Sequence, residues 1–205
     1  MGNGLAANLQ QALQAMSLWE LAAVILGIAY LLLAMRESVW CWYAAFASTA
    51  IFLFIFWDVS LYMESALQVY YLAMAVYGWW HWQHGPTDSK ELVISRWSKG
   101  HHLRAGGAIL LITILSGFLL EEHTNAANPY LDSFTTWGAI LTTWMVTRKI
   151  LENWLYWLVI DSVSIFLYLD RELYLTALLF AAYLVIVVFG YRTWLQHYRT
   201  ASNEN

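Results

Sequence analysis

The residues best suited to chemistry fall in one apolar stretch, Glu152-Asn153-Trp154-Leu155-Tyr156-Trp157-Leu158-Val159-Ile160-Asp161. Asn153, Trp157 and Asp161 recur at i, i+4 and i+8, and Trp154 lies one step round the same helical face. A carboxylate near the centre of a membrane helix costs about 2.5–3.5 kcal/mol on insertion scales. A chain bears that cost when the group lines a site or a water-filled path. Stacking planes beside hydrogen-bonding groups suit a flat, polar, ring-containing small molecule. Three roles stand open for Asp161: ligand acceptor, proton-coupling group, or half of a structural hydrogen bond to another span. Asn153, Trp154 and Trp157 also read as a helix start with interfacial aromatics.

A second polar group sits in Gln68-Val69-Tyr70-Tyr71-Leu72-Ala73-Met74-Ala75-Val76-Tyr77-Gly78-Trp79. Gln68, Tyr71, Ala75 and Gly78 share a face, and a glutamine both donates and accepts hydrogen bonds. The competing role is an interhelical hydrogen bond, worth under about 1–2 kcal/mol. Trp137, Thr142, Thr143 and Trp144 are candidates for a facing wall, and Trp40 and Trp42 are weaker ones. His81 and His84, and the pair His101-His102, lack a cysteine or carboxylate at ligand spacing, so no metal site is expected. There is no glycine-rich phosphate cradle and no nucleophile motif, so neither an enzyme nor a cofactor is expected.

The elements that must position these groups are membrane spans. Of 205 residues, 60% are hydrophobic and 12% charged, against about 25% charged in soluble domains. The chain is an integral membrane protein in contact with membrane lipid. Thirteen Trp and thirteen Tyr exceed what interfacial belts need, so some rings line something. A net charge of −4 argues against nucleic acid as a partner. Cys41 is the only cysteine, which excludes an internal disulfide. Met1 to Ser17 holds no Lys or Arg and lacks the basic region of a cleavable signal peptide, so the first apolar run is a retained span.

Apolar runs long enough to cross, about 17–25 residues, lie near 19–35, 39–57, 64–83, 104–120, 133–150, 153–169 and 173–194. Seven transmembrane helices follow. With the N-terminus outside, the inner loops and tail hold Arg36, Lys90, Arg96, Lys99, Arg104, Arg148, Lys149, Arg192 and Arg199, and the outside keeps only Arg171. The outer loops carry Asp58, Glu64, Glu121, Glu122, Asp132, Asp170 and Glu172. The positive-inside rule then gives an outer N-terminus and a C-terminus in the cytoplasm. The loop at 84–103 reads as a basic inner linker with a short interfacial helix around Leu92–Trp97.

The chain also matches itself at a shift of 112 positions. Arg36 falls on Arg148, Trp42 on Trp154, Phe54 on Phe166, and Asp58-x-x-Leu61-Tyr62 on Asp170-x-x-Leu173-Tyr174. Leu67, Tyr71, Leu72 and Val76 fall on Leu179, Tyr183, Leu184 and Val188, and Gly78-x-x-x-Trp82 on Gly190-x-x-x-Trp194. The expected fold is all-α integral membrane, two parallel three-helix repeats joined by a connecting helix, an arrangement in which binding sites fall between the halves near the midplane. The divisions are an N-terminal extracytoplasmic segment (1–18), a first repeat (19–83), the cytoplasmic linker (84–103), the connecting helix (104–120), a second repeat (131–195) and a cytoplasmic tail (196–205). The repeat breaks at polar positions: Asn153 falls on Cys41, Asp161 on Thr49 and Gln68 on Phe180. That fits one asymmetric substrate in a pseudo-symmetric frame.

Asn153-Trp154-x-x-Trp157 running on to Val159-Ile160-Asp161, together with Gln68-x-x-Tyr71 running into Tyr77-Gly78-Trp79-x-x-Trp82, resembles the PnuC family of bacterial vitamin transporters over about Trp19 to Trp194. The resemblance implies a 3+1+3 fold similar to the SWEET sugar transporters. It implies facilitated-diffusion uptake of nicotinamide riboside across the bacterial inner membrane, trapping by a cytoplasmic riboside kinase, and a homotrimer. The residues expected to bind such a substrate are Gln68, Tyr71, Trp79, Trp137, Thr142, Asn153, Trp154, Trp157 and Asp161. Family relatives carry thiamine or riboflavin, so another vitamin is the alternative cargo. A scaffold or sensor subunit without flux is the alternative outside transport.

Overall fold

The computed structural model describes residues 16–58, 62–85, 92–124, 127–171 and 173–203. Most of the expected segment at 1–18 lies outside the described residues, as do Lys90, Glu172 and the side chain of Glu64. Seven helices are described: α1 (Leu18–Met35), α2 (Trp40–Asp58), α3 (Tyr62–His84), α4 (Lys99–His123), α5 (Pro129–Thr147), α6 (Asn153–Asp170) and α7 (Tyr174–Asn203). Ser17 caps α1 by accepting from the Glu20 N–H at 3.1 Å, and Pro129 occupies the first turn of α5, where a missing N–H costs nothing. α1, α2, α4 and α7 are long and apolar enough to cross a membrane by themselves. α4 begins at Lys99, earlier than the apolar run at 104, and α7 stays helical through the stretch expected as a tail.

α1 packs on α2 and α2 on α3; α5 packs on α6 and α6 on α7; α1 meets α7 and α3 meets α5 across the two sets. The first turn of α4 reaches α6, where His102 Nδ1 lies 3.0 Å from the Tyr156 hydroxyl, and the helix packs along α5. Small residues allow that contact: Trp137 donates to the Ser116 hydroxyl at 3.1 Å, and a Cβ on Gly117 would run into the Tyr130 ring. The rest of α4 turns Leu110, Leu111, Ile114, Leu115, Phe118 and Leu119 outward.

Charged side chains gather at the two ends. At one, Arg171 pairs with Asp132 and Asn128 donates to Asp170 at 3.0 Å. The other holds the turns after α1 and α5, and they are built alike. The Arg36 and Ser38 N–H groups both donate to the Leu33 carbonyl, at 3.1 and 3.0 Å; the Arg148 and Ile150 N–H groups both donate to the Met145 carbonyl, at 3.2 and 3.0 Å. Glu37 and Lys149, 112 residues apart, hold the left-handed conformation with φ of 54° and 48°, which is uncommon for side chains with a Cβ. Their side chains pair at 2.9 Å, Lys149 lies 4.8 Å from the centre of the Trp82 ring, and His197 Nδ1 sits 2.6 Å from the second Glu37 oxygen.

Beneath this pair lies an aromatic layer with the same reciprocity. Trp82 of α3 donates to the Val146 carbonyl of α5 at 3.2 Å, and Trp194 of α7 donates to the Ala34 carbonyl of α1 at 3.0 Å. Trp42 meets Trp82 edge-on at 5.3 Å and 85°, as Trp154 meets Trp194 at 5.5 Å and 87°. Gly78 and Gly190 leave room for the Trp42 and Trp154 indoles, and a Cβ on Gly190 would lie 2.6 Å from Trp154. Hence the Gly-x-x-x-Trp pattern is a packing device: the glycine seats one indole and the tryptophan four residues on locks a neighbouring helix.

The linker differs from expectation. Leu92–Trp97 forms no helix but an extended segment with a parallel bridge from Ser95 to Ile150. The Ser95 N–H donates to Lys149 at 3.0 Å and its carbonyl accepts from Leu151 at 2.9 Å. Ile94 is buried while Val93 stays exposed, the two-residue alternation of a strand. Arg96 pairs with Glu152 at 2.9 Å and fixes the strap to the second turn.

Gly190→Ala must push the Trp154 indole aside. We expect a loss of about 1–3 kcal/mol from overpacking, read as a lower midpoint in thermal unfolding of the purified protein. Gly106→Ala on α4, where a Cβ meets nothing within 4 Å, leaves that midpoint unchanged or higher. A second expectation concerns acid. Burial raises the Glu37 carboxyl, but hydrogen bonds and charge from His197 and Lys149 outweigh it and hold the group below its usual value of 4.5. A depressed carboxylate stabilises the fold above the unfolded-state value, and that contribution disappears as pH falls through the folded-state value. Between pH 6 and 3, wild type therefore loses more thermal stability than Glu37→Gln; parallel losses in both proteins would count against the ion pair.

Candidate functional site

Six helices enclose a cavity of about 370 Å³, and α4 contributes nothing to its wall. That volume lies within the range of small-molecule sites, roughly 300–1,000 Å³. The wall alternates rings and hydroxyls. Tyr30 comes from α1, Trp42, Ser48 and Thr49 from α2, Tyr71 from α3, Thr135, Thr136 and Thr143 from α5, Trp157, Asp161, Ser164 and Tyr168 from α6, and Phe180 and Tyr183 from α7. No residue of the turns at 36–39 and 148–152 reaches it, so the tryptophan layer separates the cavity from the basic end.

Much of the wall comes in pairs at the 112-residue shift. Gly27 and Ala139, Leu31 and Thr143, Ala45 and Trp157, Ser48 and Ile160, Thr49 and Asp161, Tyr71 and Tyr183, and Ala75 and Val187 all line it. Only the tyrosine pair is identical. In three of the other six pairs the second position carries the more polar group or a ring, Thr143 for Leu31, Trp157 for Ala45 and Asp161 for Thr49; Ser48 against Ile160 runs the other way, and Gly27/Ala139 and Ala75/Val187 differ only in size. A Cβ on Gly27 would meet the Tyr183 and Ser48 hydroxyls at ordinary contact, 3.4 and 3.6 Å, whereas one on Gly138 would crowd the Ile160 side chain at 3.0 Å. The Ser48 hydroxyl is committed to the Ala23 carbonyl at 2.7 Å.

Of the residues expected from sequence, the cavity brings together Tyr71, Trp157 and Asp161. The others stand elsewhere. Asn153 is fully buried at the start of α6, where its Nδ2 donates to the Ile150 carbonyl at 2.7 Å. Trp154 is buried against Gly190 and Trp194, so Asn153 takes the helix-start role the sequence left open, while Trp154 is a packed core residue and neither a wall residue nor an interfacial one. Thr142 is buried and spends its hydroxyl on the Gly138 carbonyl at 2.7 Å; its neighbour Thr143 lines the wall instead. Trp137 faces α4 through Ser116. Trp79 lies edge-on to Tyr43 at 6.4 Å, and Gln68 is half-buried beside the lining Leu67. Tyr30, Thr135, Thr136 and Ser164 carried no sequence signal of their own. Tyr183 did carry one, as the identical partner of Tyr71 at the repeat shift.

A family model described as nicotinamide mononucleotide transporter matches residues 17–196. The riboflavin/roseoflavin transporter RibM of Streptomyces davaonensis is 24% identical over 180 residues, covering 85% of this chain and 83% of its own length. The nicotinamide riboside transporter PnuC of Escherichia coli is 23% identical over 205 residues, covering 88% of this chain and 86% of its own. The crystal structure of the vitamin B3 transporter PnuC superimposes with a TM-score of 0.74 at 18% identity, over 96% of this chain and 90% of that one.

Replacing Trp157 by Ala removes a ring from the wall and should weaken cargo binding roughly three- to ten-fold, the usual worth of an aromatic contact. Trp137→Ala breaks the Ser116 bond outside the wall; it should leave cargo affinity within about two-fold and lower thermal stability instead. Titration calorimetry beside thermal unfolding separates the two effects.

Proposed function

The chain belongs to the nicotinamide mononucleotide transporter family, and from that membership and the cavity together we propose that it moves nicotinamide riboside across the bacterial inner membrane. The observation that carries the reading is the composition of the wall: aromatic rings and hydroxyls, with no Lys, Arg or His among its lining side chains. Rings of Trp157 and Tyr71 stack on a flat heterocycle, and threonine hydroxyls pair with ribose hydroxyls or a carboxamide. A phosphate asks for basic side chains or a row of free N–H groups, and neither supports it here, so the riboside fits better than the mononucleotide of the family's name. Thiamine or riboflavin is the alternative cargo, favoured by the similarity to a riboflavin transporter. The wall also lacks cysteine and any nucleophile–base pair, which supports carriage of the cargo rather than its conversion.

The repeated turns, the reciprocal tryptophan bonds and the paired wall positions support an arrangement of two parallel three-helix repeats with α4 as connector, like the SWEET transporters. Cargo sits between the repeats, and rocking of one against the other opens it to each side in turn. Clustering of Arg36, Arg96, Arg148, Lys149, Arg192 and Arg199 toward one end supports a cytoplasmic placement of that end, with the N-terminus outside. Flux follows the cargo gradient, and a cytoplasmic kinase traps the product as a phosphate that the wall rejects. The homotrimer rests on the family resemblance; the apolar outer face of α4 is what contact with lipid requires.

Uptake of labelled riboside into kinase-positive cells tests the mechanism. We expect it to survive an uncoupler and to vanish when the kinase is deleted; collapse with the uncoupler while the kinase stays active overturns facilitated diffusion. Titration with the riboside, its 5′-phosphate, thiamine and riboflavin tests the cargo, and tight binding of the phosphate overturns the riboside reading.

A further inference from the structure

Among the described residues, Asp161 is the single charged side chain on the cavity wall. It is 4% exposed, and no described residue donates a hydrogen bond to its carboxylate. Every other described Asp, Glu, Lys and Arg lies in the end turn of a helix or beyond it, apart from Arg104 in the second turn of α4 and Arg192 and Arg199 in the basic-end portion of α7. An ionised carboxylate removed from water without a cationic partner is strongly disfavoured. The protein offers none within the wall. It does supply the faces and edges of Tyr30, Tyr71, Trp157, Tyr168, Phe180 and Tyr183. Aromatic faces carry negative potential and draw organic cations, as in cages for quaternary ammonium groups. Rings plus one acid and no base make a receptor for a flat cation.

The charge is also placed on one side. The position matching Asp161 at the 112-residue shift is Thr49, which is neutral and lines the same cavity. A cargo with a cationic ring at one end and hydroxyls at the other therefore has one favoured orientation, ring toward Asp161.

Resting on the proposed transport role, we infer that Asp161 is the specificity-determining residue that reads the charge of the cargo: the site takes organic cations with a flat aromatic ring and discriminates against uncharged rings of the same size. This divides the cargo classes suggested by the relatives, because the pyridinium of nicotinamide riboside and the thiazolium of thiamine are cations, whereas the riboflavin ring system is neutral.

The test is calorimetric titration of the purified full chain with four ligands: nicotinamide riboside, its neutral 1,4-dihydro form, thiamine and riboflavin. Wild type should bind the cationic riboside at least about ten-fold tighter than the dihydro form, and Asp161→Asn should lose about ten-fold or more for the cation and under two-fold for the neutral form, as expected when one partner of a buried charge pair is removed. Equal affinity of wild type for the two forms, equal loss of both in Asp161→Asn, riboflavin as the tight ligand, or silence from both cations each overturns the assignment. Thiamine binding in place of the riboside, with the same selective loss in Asp161→Asn, sustains the assignment while removing the riboside as cargo. If Asp161→Asn does not fold, the wild-type ratio of cationic to dihydro riboside decides alone.

Discussion

The structure depends on two hydrogen bonds that cross between its helical sets, Trp82 to the Val146 carbonyl and Trp194 to the Ala34 carbonyl. A tryptophan buried in a membrane protein gains by finding an acceptor for its N–H; the buried indole N–H groups of Trp42 and Trp154 in the same layer find none among the described residues, whereas those of Trp82 and Trp194 do. Helix-end carbonyls are the acceptors at hand, because the last turn of a helix leaves them without an intrahelical partner. Each indole thus meets a need of its own and one of another helix. The turns that follow those carbonyls hold Glu37 and Lys149 in left-handed conformations, and this directs the two side chains into one ion pair. The extended linker then pairs with the second turn. Removing either tryptophan would leave its carbonyl with the turn's own N–H bond alone, from Glu37 to Ala34 or from Lys149 to Val146, and would leave an aromatic layer with a hole in it.

Above that layer, construction and chemistry separate. Paired positions build the walls with small or apolar side chains, and the departures from pairing are where polarity enters: Thr143 for Leu31, Trp157 for Ala45, Asp161 for Thr49. In the proposed two-repeat arrangement, a duplicated frame supplies a cavity between its copies, and divergence at a few inward positions makes the cavity asymmetric. The side chains at the layer stay matched because a change in one indole or its glycine seat disturbs packing that neighbours cannot absorb. Wall positions tolerate change because they border open space.

Much of this was legible in the residues. Long apolar runs gave the seven helices to within a few residues at most ends, since no other structure satisfies backbone polar groups in lipid. The shift of 112 pointed to the turns, the Gly-x-x-x-Trp device and Tyr183. Helix rotation was harder to read. In a soluble helix the polar face marks the outside, but a lipid-facing surface is as apolar as a packed one, so Trp137 and Trp79 could not be oriented by type. Asn153 and Trp154 share a face with Trp157 by spacing, yet they fall in the first turn of α6, where capping and layer packing claim them. Thr142 and Thr143 are adjacent, and only the structure shows which points inward. The linker misled because its basic, aromatic composition suggests an interfacial helix, whereas the alternation of buried Ile94 with exposed Val93 is a strand signal too short to stand out.

The two crossing bonds have a mechanical consequence. They are reciprocal, so a rigid separation of the two sets at the basic end stretches both at once and draws Glu37 from Lys149 in the same stroke. No motion of that kind relaxes one bond while sparing the other. Any separation of the two sets at the basic end would therefore have to break both bonds and the ion pair together.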